Sequence, residues 1–223
     1  MKQNRNLQFL FLSVLCVILM VLFESLAHPN YILKSAAKLF LFLCPLILYS
    51  ITKKEPVKEI IRFRNKKNNK LLILMLIGYA LIMLGFFIFR NEIDLTSIKL
   101  RLSEKEGINR SNCIFAFLYI MVVNSFLEES FFRGFLYHLG NSAFSKKAGY
   151  LISSLLFALY HIGIMSSWFS PLIFLLSLFC LFVTGIVLQY VSLRNDDLKD
   201  SYLMHACANL TINTIGFIAI YFH

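Results

Sequence analysis

Seven apolar stretches, at about 7–27, 31–51, 71–90, 112–139, 148–165, 169–192 and 201–221, take up most of the chain. Each is long enough to cross the hydrocarbon of a bilayer, which takes roughly 17–25 residues as a helix. In hydrocarbon the backbone must satisfy its own polar groups, so such stretches are read as helices. Composition agrees: 58% of residues are hydrophobic and only 15% are charged, against about 25% in soluble domains. The expected fold is all-α, a polytopic transmembrane helical bundle of about seven spans. No segment between the spans is large enough for a soluble domain. A single membrane domain is expected, with residues 1–111 supplying N-terminal helices and a basic loop, and 112–223 the rest of the transmembrane core.

The net charge of +10 does not mark a nucleic-acid binder, which would need a basic face or stripe. The basic residues crowd into the loops. Residues 53–70 hold eight Lys or Arg and two Glu, the strongest such cluster in the chain. Cytoplasmic loops collect Lys and Arg, so this loop and the N-terminus are expected in the cytoplasm. Fifteen of the 22 basic residues then lie inside and seven outside. Residues 57–63 are expected to be a solvated part of this loop, with an amphipathic helix on the headgroups as the alternative. The first stretch reads as an uncleaved span, because it is longer than a signal-peptide core and Glu24 sits beside the candidate cleavage site. Cys16, Cys44, Cys113, Cys180 and Cys207 are scattered through apolar segments and read as core residues.

Ionisable groups within such spans are costly, and they face a protein interior or a water-filled cavity. In the fourth stretch Glu128 and Glu129 are followed by Arg133. Glu129 and Arg133 stand at i and i+4, a pairing distance on a helix. Glu128 is turned about 100° away, so it is expected not to share a partner with Glu129. Phe157 and His161 in the fifth stretch, and His205 and Asn209 in the seventh, repeat the i, i+4 spacing. A buried polar site formed by the fourth, fifth and seventh spans is expected. A carboxylate and a neutral imidazole can take a proton from water. A second His and an Asn amide can donate to a developing oxyanion. The same residues could instead hold zinc through His161, His205 and a glutamate, although no His-Glu-x-x-His is present.

In this order Glu-Glu-x-x-x-Arg, Phe-x-x-x-His and His-x-x-x-Asn resemble the CPBP family of intramembrane proteases. That family comprises the type 2 CAAX prenyl proteases and their bacterial Abi and bacteriocin-processing relatives. The likeness covers about 112–215 and extends to Gly134, Ser153, Ser154 and Gly185. It implies Glu128 as the general base with His161 as its partner, and Glu129 with Arg133 as a supporting ion pair. It further implies His205 and Asn209 at the oxyanion and Phe157 in the site wall. It favours a mechanism without a cofactor, zinc being the alternative. The chain departs from the prenyl proteases in having seven spans where eight are expected. It also lacks a Trp and a Pro in 195–200.

The function expected from residues and resemblance together is an intramembrane endopeptidase in a bacterial plasma membrane. Its substrate would be a membrane-associated, hydrophobic or lipidated peptide or protein, with membrane lipids as the other partner and no nucleic acid. Processing of a bacteriocin or pheromone precursor, or self-immunity, fits. The alternative is a non-catalytic immunity or regulatory membrane protein that keeps the fold. A proton-coupled transporter would show an internal repeat, and the sequence has none. His28 reads as a turn residue, His138 as packing, His223 as a terminal residue, and Trp168 with Phe169 as an interfacial aromatic belt.

Overall fold

A computed structural model describes residues 2–165 and 170–222. Trp168, Phe169 and His223 lie outside the described residues. Among the described residues seven helices are long and apolar enough to cross a membrane. The spans are α1 (Asn4–Ala27, ending in a π turn at Phe23–Ala27), α2 (Tyr31–Lys53), α4 (Leu71–Ile88), α6 (Cys113–Ala143), α7 (Lys146–Met165), α8 (Pro171–Arg194) and α9 (Leu198–Phe222). Two short helices, α3 (Val57–Ile61) and α5 (Leu95–Leu100), sit in the loops. The protein is the all-α polytopic bundle expected from its sequence. Large apolar side chains such as Phe11, Ile32, Phe40, Leu72 and Leu172 point outward, as a lipid-facing surface requires.

The helix α6 stands at the centre and packs against α1, α2, α3, α7, α8 and α9. It is not a regular helix. Two π segments, Ile120–Asn124 and Ser130–Leu136, flank the α-helical turn Ser125–Glu129. A π segment shifts the backbone bonding by one residue, and such bulges are frequent at functional sites. Here every residue from Leu127 to Tyr137 is buried. Neighbouring helices supply donors to carbonyls of these turns. Ser153 Oγ donates to Phe132 O (2.8 Å), Arg62 to Arg133 O (3.3 Å) and Asn209 Nδ2 to Ile120 O (3.4 Å). Buried polar backbone is thereby paired, as an apolar surrounding demands.

Aromatic rings fill the space beside α6. Phe42 of α2 stacks on Phe131 at 4.2 Å between centroids and meets Phe132 edge-on at 5.5 Å. Phe132 in turn meets Phe157 at 5.4 Å. Glycines set the closest helix approaches. A Cβ at Gly185 would lie 3.0 Å from Ser154 Cα, and one at Gly140 would lie 2.9 Å from Gly149 Cα.

Residues 57–63 are not wholly solvated: Val57–Ile61 form a helix that turns Ile60 inward and leaves Lys58 and Glu59 exposed. Ile60 is fully buried, and Ile61 Cα lies 3.0 Å from where a Cβ on Gly134 would stand. The missing side chain at Gly134 lets α3 close over this end of α6. The following loop docks on the start of α9. Asp197 accepts the backbone N–H groups of Arg64 (3.0 Å), Lys66 and Lys199 (3.0 Å). Leu198 N donates to Arg62 O (3.0 Å). Burial would push the Asp197 carboxyl up, but these backbone donors outweigh it and hold the group below the usual carboxylate range.

Candidate active site

The α-helical turn Ser125–Glu129 presents both glutamates inward, with Glu128 2% exposed and Glu129 fully buried. Glu129 Oε1 lies 3.2 Å from Arg133 Nη1, the i, i+4 pair expected from the spacing. The Arg133 guanidinium also lies over the Phe157 ring, 3.8 Å from its centroid. Phe157 thus covers the ion pair as well as lining the site, and a desolvated cation–π contact of this kind is stabilising.

His205 stands between the carboxylates. Its Nδ1 is 2.9 Å from Glu129 Oε1 and its Nε2 is 3.7 Å from Glu128 Oε2. The two glutamates therefore share a partner, contrary to the expectation from their 100° separation. An imidazole is wide enough to reach both from a third helix. A carboxylate can only accept, so Nδ1 carries the proton, and Nε2 is the atom turned toward Glu128.

Glu128 is not left free. Lys38 of α2, itself 6% exposed, donates from Nζ to Glu128 Oε1 (3.1 Å) and to Asn124 Oδ1 (2.7 Å). Asn124 Nδ2 donates to the same Glu128 oxygen (2.8 Å). Lys38 Nζ also sits over the Tyr160 ring at 4.9 Å. Sequence reasoning missed Lys38, Asn124 and Tyr160. The available signal was Lys38 itself, an ionisable residue within the second apolar stretch. The second span thus contributes as well, and the site belongs to the second, fourth, fifth and seventh.

Phe157 lies between His161 and His205, with its ring centroid 4.7 Å from the first and 5.6 Å from the second. His161 Nδ1 is 2.7 Å from Phe157 O. A carbonyl only accepts, so Nδ1 holds the hydrogen and the Nε2 lone pair remains for another partner. His161 is within electrostatic reach of Glu128. Asn209 turns elsewhere. Its Nδ2 donates to Ser125 Oγ (2.8 Å) and approaches Ile120 O (3.4 Å), which ties α9 to the turn that carries the glutamates.

Glu128 Oε2, Glu129 Oε2 and the Tyr160 hydroxyl are buried with no hydrogen-bond partner among the described residues. Buried polar atoms of this kind call for water or a ligand. Among the described residues no three His, Cys, Asp or Glu side chains converge to hold one ion, and the Lys38 ammonium already flanks Glu128. As placed, these side chains do not form a metal cage.

Neither a curated protein nor a solved structure matches the chain. A family model, type II CAAX prenyl endopeptidase Rce1-like, matches residues 110–211. That segment holds the two glutamates, Arg133, Phe157, both histidines and Asn209, and only Lys38 comes from outside it. The seven apolar helices mark a multi-pass membrane protein, and over residues 110–211, a little under half of its length, the chain is similar to the Rce1-like type II CAAX prenyl endopeptidases, in agreement with the resemblance to the CPBP family.

Proposed function

We propose that the protein is an intramembrane endopeptidase that cleaves a membrane-associated peptide, hydrophobic or lipidated at one end, by a glutamate-activated water. The observation that carries this reading is the unpartnered Glu128 Oε2, 3.7 Å from His205 Nε2. That separation is too long for a direct hydrogen bond and suits a bridging water.

Water bound there donates one hydrogen to Glu128 Oε2. The lone pair of His161 Nε2 takes the second and orients the oxygen. As the oxygen attacks the scissile carbonyl, Glu128 accepts the proton. In this role His205 donates from Nε2 to the oxyanion and from Nδ1 to Glu129. Glu128 then passes its proton to the leaving nitrogen and the C–N bond breaks. Lys38 balances the charge of Glu128 and fixes its rotamer with Asn124. Arg133 does the same for Glu129. Asn209, engaged with Ser125, holds the α6 turn in register instead of donating to the substrate.

The basic loop 53–70 faces the cytoplasm on this reading, which puts the N-terminus there too. In a bacterial plasma membrane the substrate class is a secreted-peptide precursor, such as a bacteriocin or pheromone, or a peptide against which the cell protects itself.

The test is cleavage of hydrophobic and lipidated peptides by the purified protein, comparing wild type, Glu128→Gln and His205→Ala, with and without chelator. Glu128→Gln should lower kcat by about 10²–10⁴ while substrate binding persists, and chelator should have no effect. Full cellular function in Glu128→Gln would instead support a non-catalytic immunity protein. Loss with chelator, restored by zinc, would make His161 and His205 ligands.

A further inference from the structure

A second buried acid lies outside the site. Glu24, in the π turn that ends α1, is 5% exposed. Neither of its oxygens has a hydrogen-bond partner among the described residues. Lys34 of α2 is 3.7 Å from Glu24 Oε1 but is committed to Glu106 at 2.7 Å. Gly163 makes the room that Glu24 occupies: a Cβ there would lie 2.9 Å from Glu24 Oε2 and 3.1 Å from Val21 O.

Glu24 lines a pocket with His28, Lys34, Arg101, Glu106 and Gly163. The α1–α2 and α4–α6 connections and the far end of α7 all meet there. By topology this is the face opposite the basic loop 53–70. Two of the pocket's lining residues lie close along their helices to residues of the candidate site. Lys34 stands one helical turn from Lys38, which holds Glu128, and Gly163 is two residues beyond His161. Tyr160 is within electrostatic reach of both Glu24 and Glu128, and its buried hydroxyl neighbours Glu128 without closing a hydrogen bond of good geometry to it.

We infer that this pocket is the port through which water reaches Glu128, with Glu24 and Tyr160 as positioning residues that hold the waters between them. The inference rests on Glu128 as the group that activates water. Each turnover consumes one water in a site walled by Phe42, Phe132 and Phe157, where none enters through apolar packing. Hydrolysis of an amide to a carboxylate and an ammonium releases no net proton at neutral pH, so the port must carry water and need not carry protons. The unpartnered oxygens of Glu24, Tyr160 and Glu128 supply the acceptors and donors that ordered water on such a path requires.

Radiolytic hydroxyl labelling of the full chain in lipid nanodiscs, read by mass spectrometry, tests this without using activity. Tyr160 is fully buried, as are Phe42 and Phe132. If water lies against Tyr160, it is labelled well above those two rings. Gly163→Val, which fills the pocket, and Glu24→Leu, which keeps the bulk without the acceptor, should each drop Tyr160 labelling to the level of Phe132. Both should lower kcat with little change in KM. Tyr160 labelled no more than Phe132 in wild type, or labelling unchanged in either folded variant, overturns the port. Glu128→Gln should lose cleavage and keep the labelling. Labelling without cleavage in wild type would uphold the port and sink the hydrolase reading.

Discussion

Lys38 Nζ lies 3.1 Å from Glu128 Oε1, an ion pair between α2 and the central turn of α6 that is buried on both sides. It joins the N-terminal half of the chain to the half that carries the family motifs. A buried pair adds little net stability over apolar packing, but removing one partner strands the other charge.

The first prediction follows directly. Lys38→Met should destabilise the folded protein by about 3–5 kcal/mol, seen as a lower thermal midpoint in detergent. Lys38→Met with Glu128→Gln should recover most of that loss. Equal midpoints for the single and the double variant would mean that the pair carries no coupling.

Glu129 should be the more fragile of the two glutamates. Arg133 is fully buried and Glu129 is its only carboxylate partner within salt-bridge distance among the described residues. Glu129→Gln should therefore lose both cleavage and about 3–5 kcal/mol of stability, whereas in Glu128→Gln the Lys38 ammonium keeps Asn124 Oδ1 and the Tyr160 ring, so cleavage is lost with the smaller thermal shift of the two. The comparison needs only parallel unfolding curves and one cleavage assay.

Asp197 gives a pH signature away from the membrane spans. Its folded carboxyl titrates below the unfolded value because three backbone N–H groups bind the ionised form, outweighing burial. The stabilisation is thus present above the unfolded carboxylate range and is lost as pH falls through the lower, folded value. Asp197→Asn should cost about 1–2 kcal/mol at neutral pH, discounted for the water around the loop. The difference from wild type should vanish in acid. A difference that grew in acid would contradict the assignment.

Close packing at Gly185 predicts a steric series. Its Cβ would approach Ser154 Cα to 3.0 Å, backbone that cannot swing aside. Gly185→Ala should cost about 1–3 kcal/mol and Gly185→Leu should abolish the monodisperse folded peak on size-exclusion chromatography. A well-folded Gly185→Leu would show that α7 and α8 separate more readily than this contact implies.

The number of spans, the all-α class and the Glu129–Arg133 pair were legible in the sequence. Their causes are local: the length of an apolar run sets a span, and the i, i+4 spacing puts two side chains on one helix face. The motifs on α6, α7 and α9 could likewise be read in order. What only the tertiary structure decided depends on how helices rotate against one another. The two π segments of α6 shift the register around Ser125–Glu129, so straight-helix angles do not give the final directions of Glu128 and Glu129. His205 can therefore bridge both. Asn209 meets Ser125 because α9 lies against that turn. A lysine in an apolar stretch can snorkel to an interface or turn inward; Lys38 turns inward because Glu128 and Asn124 wait across the α2–α6 contact. Ile60 turns inward from the loop because Gly134 has no side chain to keep Ile60 and Ile61 away.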